Sequence, residues 1–374
     1  MRLTRLAIRH FRNLRNQDLE MPSEGIALIG DNAQGKTNFL EAIYYLETLR
    51  SFRGASDPQL ITFGEDVFRV VGTTKREDDV DGPIELAAAF QRRGKRKKVT
   101  VDGSEVERLA DALGALSAVI FSPADIELVS GGPSERRRFL NIVLSLNHPG
   151  YVAAIQEYRQ VLQRRNASLK SGESASTVAA WQPALVRSGA RVMTARRDWI
   201  DGKAEAFGDY YHRVSARSKG VMTYSPDVSF PEGADTDEIE CAFRESLRDS
   251  ADTERRRGVT MVGPHRDDVR LRLENEDARL DLRDFGSGGQ RRTAAFALRL
   301  VEAATIRERR TRAPLMLLDD VFAELDPGRS ERILELMESE DLGQVVLTAP
   351  KEADVRLRRD SLPRWRIQAG EIST

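Results

Sequence analysis

Gly30-Asp31-Asn32-Ala33-Gln34-Gly35-Lys36-Thr37 decides the reading of this chain. Glycine at the first and sixth positions followed by Lys-Thr is the pattern of a phosphate-binding loop, provided a strand precedes it and a helix follows. Both conditions hold in the pattern. Gly25-Ile26-Ala27-Leu28-Ile29 is a short apolar run ending at a glycine, as a buried strand does, and Phe39, Ala42, Ile43 and Leu46 recur at helical spacing within residues 38–49. The residue types fit the task. Glycines let the backbone close around phosphates, and successive N–H groups at a helix start donate to phosphate oxygens. Lys36 brings a point charge to the β and γ phosphates, and Thr37 offers a hydroxyl to Mg²⁺, which takes oxygen ligands. Chance alone would produce these fixed positions in roughly one chain of this length per hundred. The flanking strand and helix make the coincidence rarer still. The reading is therefore an ATP site built on Gly30, Asp31, Asn32, Ala33, Gln34, Gly35, Lys36 and Thr37, with Mg²⁺ as the second cofactor.

A phosphate loop needs a second strand that ends in an acid, and Leu315-Met316-Leu317-Leu318-Asp319-Asp320 supplies one. Asp319 is the expected metal-linked carboxylate, and Asp320 the expected base or water-orienting, catalytic group. Adjacent acids that merely end a strand would repel each other without a cation nearby. Between the two motifs stands Gly286-Ser287-Gly288-Gly289-Gln290, a glycine-rich turn before a helix. It resembles the signature of ABC-type ATPases, in which Ser287 would meet the γ-phosphate held by another subunit. The same residues also make an ordinary helix N-cap. Ala323-Glu324-Leu325-Asp326 resembles the D-loop of such enzymes. Thr348 occupies the switch-histidine position, so slow hydrolysis is expected.

The rest of the chain organises around these motifs. Short strand patterns fill residues 67–71, 84–90, 99–101 and 118–121, and helical periodicity dominates after Ser130-Gly131-Gly132-Pro133. Strand-like alternation returns at Val269, Leu271 and Leu273 and at Leu280 and Leu282, followed by a helix over residues 290–308. The fold class is α/β: an ABC-type P-loop ATPase domain split in sequence, with halves at 1–130 and 259–374 and a helical insert lobe at 131–258.

Composition narrows the class. The chain has 374 residues, 40% hydrophobic and 31% charged, with a formal net charge of −1. That is the balance of a soluble globular protein, and any nucleic-acid contact must use local patches. The single cysteine, Cys241, excludes an intramolecular disulfide, and the four histidines have no zinc-site spacing. No apolar stretch is long enough for a membrane span, and the charged start lacks a leader pattern, so a cytoplasmic location without membrane contact is expected.

Arg92-Arg93-Gly94-Lys95-Arg96-Lys97-Lys98 is the densest basic run and reads as a hairpin tip, either a phosphate contact or a solvated turn. Arg136, Arg137 and Arg138 open a helix, where cations oppose the dipole. An internal ion pair is expected there, with DNA as the other reading. His265-Arg266 has no nucleophile beside it, and a structural or DNA-side role is expected.

Over nearly its whole length the sequence resembles the RecF family. The resemblance rests on residues 6–13, the 30–37 loop, Phe121-Ser122-Pro123, Gly131-Gly132-Pro133, Arg136-Arg137-Arg138-Phe139-Leu140, and Tyr158 with Gln163-Arg164-Arg165-Asn166. It continues in Gly263-Pro264-His265-Arg266-Asp267-Asp268, Arg292-Thr293 and the run 318–326. Gly288 and Arg291 depart from it, since the family has glutamine at both positions. The resemblance implies an ATP-dependent DNA-binding homodimer acting at single-stranded DNA gaps and junctions. With RecO and RecR it would promote RecA loading during repair, replication restart and SOS induction. A transporter nucleotide-binding subunit is the alternative, but would need a membrane-domain docking surface and a switch histidine. A chromosome-tethering SMC protein would need far longer heptad arms, and a small-molecule kinase has no use for the signature turn.

Overall fold

The computed structural model describes residues 1–374 apart from 76–81, 276–277, 322–325, 341–342, 353–354 and 356–361. The chain divides into two compact units: Met1–Asp125 with Arg213–Ala216 and Ala295–Thr374, and Ile126–His212 with Arg217–Ala294.

The first unit contains two six-stranded sheets. One runs in the order Glu371–Ser373, Arg364–Gln368, Gly25–Ile29, Val345–Ala349, Leu315–Asp319, Ala118–Phe121. Its pairings are parallel except for the final hairpin. Four of its strands are buried at every position, which is why they read as continuous apolar runs without alternation. The other sheet is antiparallel, in the order Gln17–Glu20, Arg2–Arg9, Val67–Lys75, Ile84–Gln91, Arg96–Val101, Ser104–Glu105. It buries one face, through Leu6, Ile8, Phe68, Val70, Leu86, Ala88 and Val99, and so alternates in sequence.

Helix Lys36–Thr48 shares one hydrophobic core with both sheets. Tyr45 meets Phe11 and Phe68 edge-on, with ring centroids at 6.3 and 5.3 Å. Buried on nearly every side, it has no polar face, as a helix enclosed by other elements should not. The consequence for function is rigidity at its N-terminus, where the phosphate loop ends.

The second unit holds helices Pro133–Asn147, Tyr151–Lys170 and Thr236–Arg257, and helix Gln182–Ser215 up to His212. It also holds an antiparallel sheet of Ala278–Asp281, Asp268–Asn275 and Lys219–Ser225. Residues 259–294, grouped by the sequence reading with the ATPase half, pack in this second unit. The physical reason is the ladder between Asp268–Asn275 and Lys219–Ser225. The partner strand lies just after a long helical stretch, where periodicity had given no sign of it.

The centre of this unit is polar. Arg196, 1% exposed, donates to Asp267 Oδ2 at 2.8 Å, the Pro264 carbonyl at 2.6 Å, Asn141 Oδ1 at 3.1 Å and Tyr151 Oη at 3.2 Å. Asp267 also accepts from the Tyr224 hydroxyl and from the Asp227 N–H. Arg136 grips Asp268 through both carboxylate oxygens at 2.7 and 3.0 Å, and Arg137 donates to the Asp267 carbonyl at 2.7 Å. Two of the cations that oppose the dipole of helix Pro133–Asn147, Arg136 by an ion pair and Arg137 by a carbonyl, are thus engaged internally.

His265 is held between Tyr158 Oη, 2.6 Å from Nδ1, and the Thr260 carbonyl, 3.2 Å from Nε2. Burial pushes its pKa down, so it stands neutral, its Nε2–H donating to the carbonyl. Gly263 is required where it is. Its φ of +126 lies in the region open to glycine, and a Cβ there would sit 2.7 Å from the Phe243 ring and 2.8 Å from Tyr158 Oη. The Gly263–Asp268 motif is therefore a structural lock of the second unit.

Candidate nucleotide-binding site

Strand Gly25–Ile29 delivers the chain to the loop, and Gly30 N–H donates to the Ala349 carbonyl at 3.2 Å. A Cβ at Gly30 would lie 2.5 Å from the Ile367 carbonyl oxygen, so only glycine fits against the neighbouring strand. Gly35, with φ of +119, is the N-cap of helix Lys36–Thr48. It turns the loop into the helix at a φ that other residues rarely adopt. Asp31, Asn32 and Ala33 form the exposed outer turn.

Lys36, 5% exposed, donates from Nζ to the Gly30 carbonyl at 2.7 Å and the Asp31 carbonyl at 3.2 Å. Its ammonium thus rests on neutral loop carbonyls. A phosphate oxygen would be a stronger, charge-assisted acceptor for it.

Thr37 and Asp319, 282 positions apart in sequence, meet directly. Thr37 Oγ1 lies 3.0 Å from each carboxylate oxygen of Asp319. Thr348 Oγ1 lies 3.0 Å from Asp319 Oδ1 and accepts the Asp320 N–H at 3.1 Å. Asp319 is 5% exposed, and burial holds its pKa above the usual carboxylate range, against the hydrogen bonds from Thr37 and Thr348. A desolvated carboxylate beside a hydroxyl is an all-oxygen pair that fits Mg²⁺. Among the described residues no cluster of three or more His, Cys, Asp or Glu side chains could hold a metal alone, so the remaining ligands would be phosphate and water. Asp320 has a φ of 46, a costly conformation for a non-glycine residue and one found at functional sites. Thr348 is buried and engaged with Asp319.

Two features were missed in the sequence. The hairpin Arg364–Gln368/Glu371–Ser373 turns at Ala369-Gly370 beside the loop. There Ala369 N–H donates to Gln34 Oε1 at 2.6 Å and Gly370 N–H to the Gln34 carbonyl at 2.9 Å. Buried Trp365, Ile367 and Ile372, alternating with exposed residues around a glycine turn, would have been the signal. Asn13 is the other. Its Oδ1 accepts from Asn38 Nδ2 at 2.7 Å, and its Nδ2 reaches the Ala33 carbonyl at 3.4 Å, bracing the loop's far side.

Ser287 is exposed in the second unit and caps helix Gly288–Arg310. Its Oγ accepts the Gln290 N–H at 3.2 Å while Gln290 Oε1 accepts the Ser287 N–H at 2.8 Å, a reciprocal capping box. Arg291 now has a role: it donates to the carbonyls of Leu282 at 3.0 Å and Arg283 at 2.8 Å, fixing the short helix Leu282–Phe285 that leads into the turn. Of the D-loop string, residues 323–325 lie outside the described residues, and Asp326 caps helix Pro327–Ser339.

The basic run divides in two. Lys97 Nζ lies 2.9 Å from Asp57 and donates to the Leu49 carbonyl at 2.8 Å, over the Tyr45 ring. Arg96 and Lys98 lie 4.0 and 3.3 Å from Glu105. Lys97 is thereby a structural residue, and Arg92, Arg93 and Lys95 stand exposed at the tip.

A parallel sheet feeding a glycine loop, a buried acid ending the next strand but one of the same sheet and a signature-like turn define an ABC-type P-loop ATPase fold of the SMC-head class. The Smc head bound to the C-winged helix domain of ScpA aligns over 100% of this chain and 96% of its own, at 14% identity and a TM-score of 0.57; that likeness concerns the fold alone. The RecF/RecN/SMC N terminal domain family matches residues 2–370. The chain belongs to the RecF family. It is 38% identical over 346 residues to the DNA replication and repair protein RecF of Synechococcus sp. (strain JA-2-3B'a(2-13)), covering 90% of this chain and 89% of that protein. To RecF of Acaryochloris marina it is 35% identical over 384 residues, covering 100% and 99%. The solved recombination mediator protein RecF with ATP, from the RecFOR pathway, aligns at a TM-score of 0.90 and 29% identity, over 100% of this chain and 97% of the other.

Proposed function

We propose that this protein is an ATP-gated DNA-binding switch of replication and recombinational repair, engaging single-stranded gaps and junctions as a homodimer. The observation that carries the reading is the Thr37–Asp319 contact at 3.0 Å, an oxygen pair beside the lysine of a phosphate loop. The RecF–ATP likeness supports the choice of nucleotide. Residues 30–37 would cradle the triphosphate through backbone N–H groups, with Lys36 on the β and γ phosphates. Thr37, directly, and Asp319, through water, would hold Mg²⁺, which when bound neutralises developing phosphate charge. Asp320 would orient the attacking water. With Thr348 in place of a switch histidine, turnover is slow and the bound state long-lived.

Geometry supports the dimer in this reading. A phosphate loop covers one face of the triphosphate, and the exposed Ser287 turn offers N–H groups at a helix start to the other face in a second copy. ATP is then the adhesive, and its hydrolysis times residence on DNA. In the RecF pathway this state would work with RecR and RecO to load RecA at gaps and so support SOS induction.

Sedimentation and filter binding on gapped DNA test the reading. Dimerisation and tight binding are expected with ATP and are lost with ADP or in Lys36→Met. Ser287→Arg should bind ATP but stay monomeric. A Lys36→Met protein with parental ATP affinity would overturn the site.

A further inference from the structure

We infer that the end of the antiparallel sheet carrying Phe63, Arg92, Arg93 and Lys95 is a single-stranded nucleic-acid subsite, with Phe63 stacking on an unpaired base. The inference rests on the DNA-binding reading above and names the surface that meets the unpaired strand.

Phe63 is 103% exposed, more than any other large hydrophobic among the described residues. Scattered exposed apolar residues are ordinary, but a fully extended aromatic gains nothing from folding. Its loop is nonetheless firmly held. Ile61 bridges Phe11, Thr62 N–H donates to the His10 carbonyl at 2.8 Å, and Glu65 N–H to the Thr62 carbonyl at 3.1 Å. The ring is therefore presented by a fixed frame and does not sit on a slack tip.

The cations come to the same end by register. Val67 pairs with Gln91 across the ladder, so the loop before Val67 and the turn after Gln91 leave the sheet together. Arg92 N–H donates to the Asp66 carbonyl at 2.8 Å and joins them. The turn reverses through Gly94 at φ 77 and Lys95 at φ 49. The side chains of Arg92, Arg93 and Lys95 are exposed and make no hydrogen bond or ion pair among the described residues. Their neighbours in the run are committed to Asp57 and Glu105. Two acids share this end, and one of them, Glu65, faces His10 at 3.4 Å. Three unpaired cations so close together repel one another, and a polyanion relieves that.

An exposed aromatic in a held loop, at the same sheet end as unpaired cations, is how proteins hold single strands. Any base can stack on the ring, and the cations track the phosphates. Duplex DNA has its bases already stacked and offers the ring nothing. A gap offers both unpaired bases and phosphates.

The test compares parent, Phe63→Ala, Phe63→Trp and the triple variant Arg92→Gln/Arg93→Gln/Lys95→Gln. Each is titrated with a fluorescent gapped duplex, a single strand and an intact duplex, with ATP and at several salt concentrations. Phe63→Ala is expected to weaken gapped and single-stranded binding by roughly 5- to 150-fold while leaving duplex binding unchanged. Phe63→Trp should retain affinity, its added fluorescence quenched by the single strand. The triple variant should lower the slope of log affinity against log salt by about 2, near 0.7 per single-strand phosphate contact. Parental affinity and slope in Phe63→Ala and the triple variant, in a parent that binds gapped DNA, would overturn this subsite and leave the DNA-binding reading intact. Equal losses on all three DNAs would exclude base stacking. Loss of ATP-dependent dimerisation in Phe63→Ala, with DNA affinity per dimer unchanged, would assign the ring to a second copy instead. A parent that binds none of the DNAs would defeat both readings.

Discussion

Asp267→Ala is expected to destabilise the second unit by about 4–6 kcal/mol. Asp267 is 0% exposed and Arg196 1%, and the pair is joined at 2.8 Å. Removing the carboxylate leaves a buried guanidinium facing only the neutral oxygens of Pro264, Asn141 and Tyr151. Breaking a buried pair from one side costs about 3–5 kcal/mol, and the orphaned Asp227 N–H adds about 1 kcal/mol. The assay is urea unfolding followed through Trp181 and Trp199, both in the second unit, in a Trp365→Phe background. Combining Asp267→Asn with Arg196→Met should cost far less than the sum of the single changes, with a coupling above about 2 kcal/mol, because the two charges desolvate together. An Asp267→Ala protein within about 1 kcal/mol of the parent would refute the reasoning, as would single changes that add within about 0.5 kcal/mol. Either result would free the Gly263–Asp268 motif for another role.

Three other outcomes are expected. Asp320→Asn should bind ATP normally and hydrolyse it about ten- to a thousand-fold more slowly in a phosphate-release assay, the range for one positioned base. Asp319→Asn should lose the Mg²⁺ dependence of ATP binding yet raise the melting temperature of the nucleotide-free protein. Because folding raises the Asp319 pKa, this group's contribution is lost as pH rises from 3.8 through the raised value, so the gain should be present at pH 7 and vanish in acid. Glu47, fully buried and pushed up to about 7 mainly by desolvation, follows the same sign. Glu47→Gln should be more stable than the parent by roughly 1–3 kcal/mol at pH 8, with the advantage shrinking through the window from 7 down to 4.5. A constant difference across that range would mean that Arg310, 3.8 Å away, keeps the carboxylate charged throughout.

The elements legible in the sequence are those whose environment is uniform along the segment. Gly25–Ile29 and Leu315–Asp319 are buried on both faces, so burial appears as an unbroken apolar run. The phosphate loop is legible because its chemistry lies in contiguous backbone and needs fixed residue types at fixed spacing. The helix after it was read as residues 38–49 and is found at Lys36–Thr48. Strand Lys219–Ser225 was not legible, since its ladder partner lies some fifty residues on and period alone cannot announce a distant partner.

The sequence by itself determined the ATPase class, because the residues that identify the loop are contiguous in the chain, and so are those of the strand that ends in the acid. Tertiary structure alone decided how the charges are used. Arg136, Arg165 and Arg196 look as available to a ligand as Arg92 and Arg93 do in one dimension. The first three are consumed by Asp268, Glu254 and Asp267, while the other two stand in water. Only folding decides which carboxylate reaches which cation. A pair formed in low dielectric is held there, and a cation left at the surface remains open to a phosphate.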